Sequence, residues 1–120
     1  MSTNTHRITI TSQMHNGTSL LALKGEFDRS NMAELMSTVD EWLESCSSIV
    51  LDFQGVTFID GGVLSLLSRT LEQLEGRGWL AVVRPAPWAR RLFDIVGVSA
   101  RRNFRLFSTM EKALGAIDRA

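Results

Sequence analysis

Cysteine occurs once in the 120 residues, at Cys46, so no internal disulfide can form and the chain suits a reducing compartment. Proline occurs twice and glycine nine times, which leaves no room for a long flexible tail. No apolar run approaches the roughly 20 residues that a membrane-spanning helix requires. The opening MSTNTHRITI has no basic segment ahead of an apolar block and does not read as a secretory signal. These absences point to the cytoplasm and away from a membrane. Also missing are a phosphate-cradling G-x-x-x-x-G-K-[ST] loop, a G-x-G-x-x-G turn and a Ser, His and Asp set fit for nucleophilic catalysis. His6 and His15 fall in a terminal segment and a hairpin turn, with no second ligand at metal spacing, so no metal or other cofactor is called for. An enzyme is the reading with least support.

What remains is an ordinary globular composition, 44% hydrophobic and 22% charged, at a length suited to one domain over 1–120 with its core at about 7–117. Net charge is zero but unevenly spread. Residues 1–60 hold three Lys/Arg against eight Asp/Glu, a net of −5, and residues 61–120 hold ten against five, a net of +5. Such a dipolar chain can meet a partner of complementary charge, mainly through a faster association, or can simply carry uneven solvated faces. Nothing in it calls for nucleic acid.

Ile8 to Thr11 alternates apolar and polar, the pattern of a half-buried strand, and His15-Asn16-Gly17 then supplies the dipeptide most favourable to a tight hairpin. Thr18 to Lys24 reads as the returning strand, closed by Gly25-Glu26-Phe27-Asp28. Met32, Leu35, Met36, Val39, Trp42, Leu43 and Cys46 recur at helical spacing, with Asn31–Glu34 as a capping box or Ser30 as the cap. Ile49 to Phe53 is a buried strand, Gln54-Gly55 a turn, and Val56 to Ile59 leads to Asp60-Gly61-Gly62. The second helix shows Leu64, Leu67, Leu71 and Leu74 on one face and stops at Gly76-Arg77-Gly78. Trp79 to Val83 is another strand, and Pro85 and Pro87 fix the loop after it. A short helix then turns Trp88, Leu92 and Ile95 or Val96 inward and stops at Gly97. Phe104 to Phe107 is the last strand, and Ser108 with Glu111 caps a final helix whose inner face is Met110, Ala113, Leu114 and Ile117. The order β-β-α-β-α-β-α-β-α predicts an α/β domain with a mixed, mostly parallel sheet and four helices.

Three stretches resemble the STAS domain family of sulphate transporters and anti-sigma factor antagonists. Gly25-Glu26-Phe27-Asp28 is similar to the family's G-E-L-D, and Ile49 to Asp60 to its V-V-L-D-L-S-G-V-x-F-I-D. Val83-Arg84-Pro85-Ala86-Pro87, with Arg90-Arg91-Leu92 and Val96-Gly97-Val98, resembles its strand, proline loop and R-R-x-L segment. The likeness runs from about Arg7 to Ile117. It implies an antagonist that binds a serine protein kinase doubling as an anti-sigma factor, and so frees the sigma factor, until a serine just after the I-D pair is phosphorylated. It also allows a scaffold or sensor module that is never phosphorylated, or a domain that binds a small nucleotide or lipid. The chain leaves room for a homodimer.

The sequence departs from the family where the switch resides. The family reads I-D-S-S-G and this chain reads Ile59-Asp60-Gly61-Gly62-Val63-Leu64, so Gly62 stands at the acceptor position and offers no hydroxyl. The resemblance places partner binding at Asp28, Asp60, Gly61, Gly62, Val63 and Leu64. The next hydroxyls, Ser65 and Ser68, lie inside the helix, and Ser65 is a weak candidate for a substitute acceptor. Asp60 also has a structural role open to it as helix cap, Asp28 as a turn residue, and the glycine pair as a tight turn or a place of close backbone approach. Arg84, Arg90, Arg91, Arg101, Arg102 and Arg105 crowd 22 residues that contain one acid, Asp94, and either engage phosphates or an acidic partner or form a solvated rim. Cys46 on an apolar stripe, and Trp42, Trp79 and Trp88, read as core.

Overall fold

The computed structural model describes residues 8–119. His6 and Arg7 lie outside the described residues. Strand β1 (Ile8–His15) pairs antiparallel with β2 (Thr18–Phe27) through a turn in which Asn16 has φ 46° and Gly17 φ 81°. These left-handed values are what a two-residue hairpin matched to the strand twist demands. After β2 come α1 (Met32–Leu43), β3 (Ser48–Ile59), α2 (Gly61–Leu74), β4 (Trp79–Val83), α3 (Pro87–Val96), a 3-10 turn (Val98–Ala100), β5 (Phe104–Phe107) and α4 (Met110–Arg119). The strands lie side by side in chain order, and every pair after the hairpin is parallel. The mixed, mostly parallel sheet and four helices expected from the sequence are present.

Period-two alternation divides the buried side chains between the two faces. On one face Leu21, Leu23, Ile49, Leu51, Phe53, Leu80, Val82 and Phe104 meet α1, α2 and α3. Phe93 from α3 stands edge-on between Phe53 and Phe104, with ring centroids 5.8 and 5.9 Å away. On the other face Leu20, Val50, Ala81 and Val83 meet Ala113 and Ile117 of α4 alone. Three helices therefore cover one face and one covers the other.

Several local expectations differ from the structure. Gln54-Gly55 does not turn the chain: β3 runs unbroken for 12 residues. It absorbs the irregularity as bulges, advancing from Asp52 to Gly55 while β2 advances only from Ala22 to Lys24. Asn31 precedes α1 without capping it, because its side chain is committed backwards, to the Asp28 N–H (3.0 Å) and the Glu26 carbonyl (2.8 Å). Thr109, not Ser108, caps α4, its Oγ1 accepting the Lys112 N–H at 3.1 Å, and Ser108 Oγ accepts from Lys112 Nζ instead. The buried residues of α3 are Ala89 and Phe93, and Leu92 packs partly against the core as expected, whereas Trp88, Ile95 and Val96 are exposed. A small alanine and one phenylalanine make a quieter inner stripe than the apolar residues that face outward. Cys46 is buried, and Trp42 and Trp79 pack partly against the core.

The hairpin is tied to the C-terminal helix. Asp118 Oδ1 accepts hydrogen bonds from His15 Nε2 (2.8 Å) and Asn16 Nδ2 (2.6 Å). These bonds, that from His15 first, hold the carboxyl below its ordinary value of 3.8. A lowered carboxyl pKa contributes stability above the unfolded value and loses it as pH falls through the folded one. The advantage of the native chain over Asp118→Asn, measured by urea unfolding, is therefore expected to shrink as pH falls from neutral through 3.8 and below. An advantage that stays constant over that range contradicts the contact.

Candidate functional site

Parallel neighbours end at the same edge of a sheet, so the loops that follow them emerge together. Phe27 and Ile59 are paired at the ends of β2 and β3, and both are buried. The chain leaves these anchored ends as Asp28 and Asp60, and the β2–α1 loop meets the β3–α2 turn.

Asp60 joins the two. Its Oδ1 accepts the N–H groups of Gly62 (2.9 Å) and Val63 (3.3 Å), capping α2, and its Oδ2 accepts the Arg29 N–H at 3.0 Å. One carboxylate thus satisfies open amides of a helix N-terminus, favours its positive dipole end and locks the neighbouring loop. The capping role expected for Asp60 is present. Asp28 turns back on its own loop, where its Oδ1 accepts from the Ser30 N–H (2.9 Å) and hydroxyl (2.6 Å). Both acids are half-buried and both have oxygens committed to nearby donors.

Gly61 and Gly62 are exposed at the tip. Neither has a positive φ, so the turn itself does not require glycine. A Cβ on Gly61 would meet open space; one on Gly62 would lie 3.1 Å from Asp60 Oδ1 and 3.4 Å from the flexible end of Met32. Gly61 has room for a side chain, whereas at Gly62 the Asp60 carboxylate must yield a few tenths of an ångström; what both glycines provide is bare backbone on the surface.

A depression of about 450 Å³ bounded by Arg29, Met32, Asp60, Gly61 and Gly62 lies on one side of the tip. A second, of about 360 Å³, runs along α2 past Gly61, Leu64, Ser65 and Ser68 to Val96 of α3. Gly61 is the ridge between them. Leu64 is half-buried beside the second groove, Ser65 is exposed and Ser68 half-buried. Val63, by contrast, is only 1% exposed and belongs to the core. Of the six residues singled out from the sequence, Asp60, Gly61, Gly62 and Leu64 therefore line the two depressions, Asp28 lies in the loop that Asp60 ties to the turn, and Val63 lies beneath. Val96 of α3, 47% exposed, forms the far edge of the second groove, although its side chain read as inward-facing.

The arginine cluster separates. Arg84 pairs with Asp52 (2.7 Å), Arg101 approaches Glu75 (3.8 Å) and Arg105 lies over the Trp79 ring (4.8 Å). Arg90, Arg91 and Arg102 are exposed.

A family model described as "Mlab, STAS domain" matches residues 10–107. The chain is 32% identical over 118 residues to the anti-sigma-F factor antagonist RsfB of Mycobacterium tuberculosis, covering 93% of this chain and 95% of that one. A crystal structure of an anti-sigma factor antagonist from Mycobacterium paratuberculosis superposes with a TM-score of 0.81 at 28% identity, covering 92% and 94% of the two chains. The Bacillus cell fate determinant SpoIIAA, in its phosphorylated form, shares the fold with a TM-score of 0.74 at 19% identity, covering 91% of this chain and 99% of its own. In motif order, fold and extent of match, this chain belongs to the STAS domain family.

Proposed function

We propose that the chain is an anti-sigma factor antagonist-like partner-switching module, acting in the cytoplasm by binding a serine-kinase anti-sigma factor and not by catalysis. The docking surface is the Asp60-capped turn, with Gly61 and Gly62 at its tip, Leu64 and the groove beside it, and the Asp28 loop behind. The observation that carries this reading is the exposed glycine tip between two depressions, held rigid by one carboxylate that caps α2 and binds the adjacent loop. The similarity to an anti-sigma-F factor antagonist supports the kind of partner. Gly62 has no hydroxyl, so the complex is not broken by phosphorylation at this position.

Binding to serine-kinase anti-sigma factors from the source organism, measured calorimetrically with labelled ATP present, tests the proposal. The native chain is expected to bind and to take no label. Gly61→Glu places a charge at the centre of the surface where its Cβ meets nothing within 4 Å. It is expected to leave folding intact and weaken binding by about tenfold or more. Full binding by Gly61→Glu removes the turn from the interface, and label on Ser65 or Ser68 contradicts the loss of the switch.

A further inference from the structure

The arginines that do not face the glycine tip lead to a second surface. At the carboxyl ends of β4 and β5 the chain changes sides: α3 leaves β4 for the face shared with α1 and α2, while α4 leaves β5 for the opposite face. In an open α/β sheet the crevice between two such diverging connections is where ligands bind, because no connection crosses it and helix N-termini flank it. Here the crevice is a cleft of about 380 Å³, within the ~300–1,000 Å³ span of small-molecule sites. Arg84 and Pro85 bound it from the β4–α3 loop, Arg90 from α3, Phe107 and Ser108 from the end of β5, and Lys112 from the first turn of α4.

Three of these side chains are cationic and none is acidic. Arg84 adopts a left-handed backbone (φ 54°) and its Nη2 is held by Asp52 at 2.7 Å. That ion pair offsets its charge and fixes its plane. The Arg84 Nε is enclosed and has no hydrogen-bond partner among the described residues, an open donor of the kind that folded proteins rarely leave. Arg90 and Lys112 are exposed and have no acidic partner among the described residues. Lys112 Nζ is held towards the cleft by Ser108 Oγ at 3.0 Å. Two uncompensated cations, a pre-set guanidinium and a hydroxyl converge where the N-terminal end of α4 adds its positive dipole.

We infer that this cleft binds a phosphate group, either free or carried by a small phosphate ester, between Arg90 and Lys112 with Arg84 and Ser108 beneath. A tetrahedral oxyanion matches planar guanidinium donors and a lysine point charge, and Phe107 and Pro85 offer apolar contact to the body of an ester. The site is separate from the glycine tip, and neither claim depends on the other.

Titration of the isotope-labelled full chain with inorganic phosphate and, separately, with glycerol phosphate, followed by amide NMR shifts, tests this. Saturable shifts at residues 84–90 and 107–112 are expected, with half-saturation at about 1 mM or below and weakening as salt is added. Response to both probes marks a site for the ester, and response to inorganic phosphate alone marks a site for the free ion. Arg90→Gln and Lys112→Gln, at exposed positions, are each expected to weaken binding by about tenfold, whereas Arg102→Gln, outside the cleft, leaves it unchanged. Absence of saturable shifts with either probe up to about 10 mM overturns the inference, as does an equal loss in Arg102→Gln.

Discussion

Replacing Gly78 by alanine is expected to destabilise the chain by at least about 3 kcal/mol, enough to leave a large unfolded fraction in a domain of ordinary stability. A Cβ at this position would lie 1.4 Å from the Ser47 carbonyl oxygen, and that atom is main chain, with no rotamer through which to retreat. The crowding is fixed from both sides. Ser48 and Trp79 form the first pair of the β3–β4 ladder, so the residues just before them are driven together. The Gly78 N–H is also held by the Leu74 carbonyl at 2.8 Å at the end of α2. Relief requires opening the ladder start or the helix end, each of which anchors fully buried residues such as Leu74, Ile49 and Leu80. Urea unfolding reads the effect directly. A loss below about 1 kcal/mol means that the backbones part easily and that the ladder start is softer than described.

The second large effect concerns the switch. Under the proposed function, Gly62→Ser is expected to bind the serine-kinase anti-sigma partner as the native chain does, to be phosphorylated by it from ATP, and then to lose binding by about a hundredfold or more. The unmodified serine fits because its Cβ needs only a few tenths of an ångström from Met32 and the Asp60 carboxylate. Phosphorylation alters the balance. The N-terminus of α2 favours an anion, but Asp60 already occupies that position, accepting the Gly62 and Val63 amides. A phosphoserine at 62 adds roughly −1.5 to −2 charges beside an existing carboxylate and at the tip of the proposed interface. Like-charge repulsion and a desolvation cost then fall on any complex that covers the turn. Mass spectrometry of the modified residue and calorimetry on the purified phosphoform decide it. A serine that stays unmodified under a kinase that binds the chain, or a phosphoform that binds undiminished, removes the turn from the partner-switching role.

Much of this was legible from residue order alone. The hairpin followed from Asn16-Gly17, whose positive φ values few other pairs adopt cheaply. The element order followed from apolar periods of two and of three to four residues, because burial of one face is a local pattern. The role of Asp60 followed from an acid placed just before a helix, since the open amides it satisfies lie two and three residues on.

Where local rules competed, the wider packing decided. Asn31 had a helix to cap and was taken by the strand end behind it. The glycine at 55 looked like a turn and became part of a bulged strand, because the pairing with β2 runs past it. The inner face of α3 could not be chosen from its sequence. Ala89 and Phe93 won it because a slot between Phe53 and Phe104 accepts one ring edge-on, and those partners lie 40 residues before it and 11 after.

The chain by itself determined the elements, their order and the family, because each is set by patterns among neighbours within a few residues. Only the folded sheet decided which loops meet. Asp60 could reach the Arg29 amide, and Arg84, Arg90 and Lys112 could share a cleft, once parallel strands brought their carboxyl ends to one edge and α4 crossed to the other face. Contacts between residues distant in sequence depend on strand register and on the side each helix takes, and no local pattern carries that information.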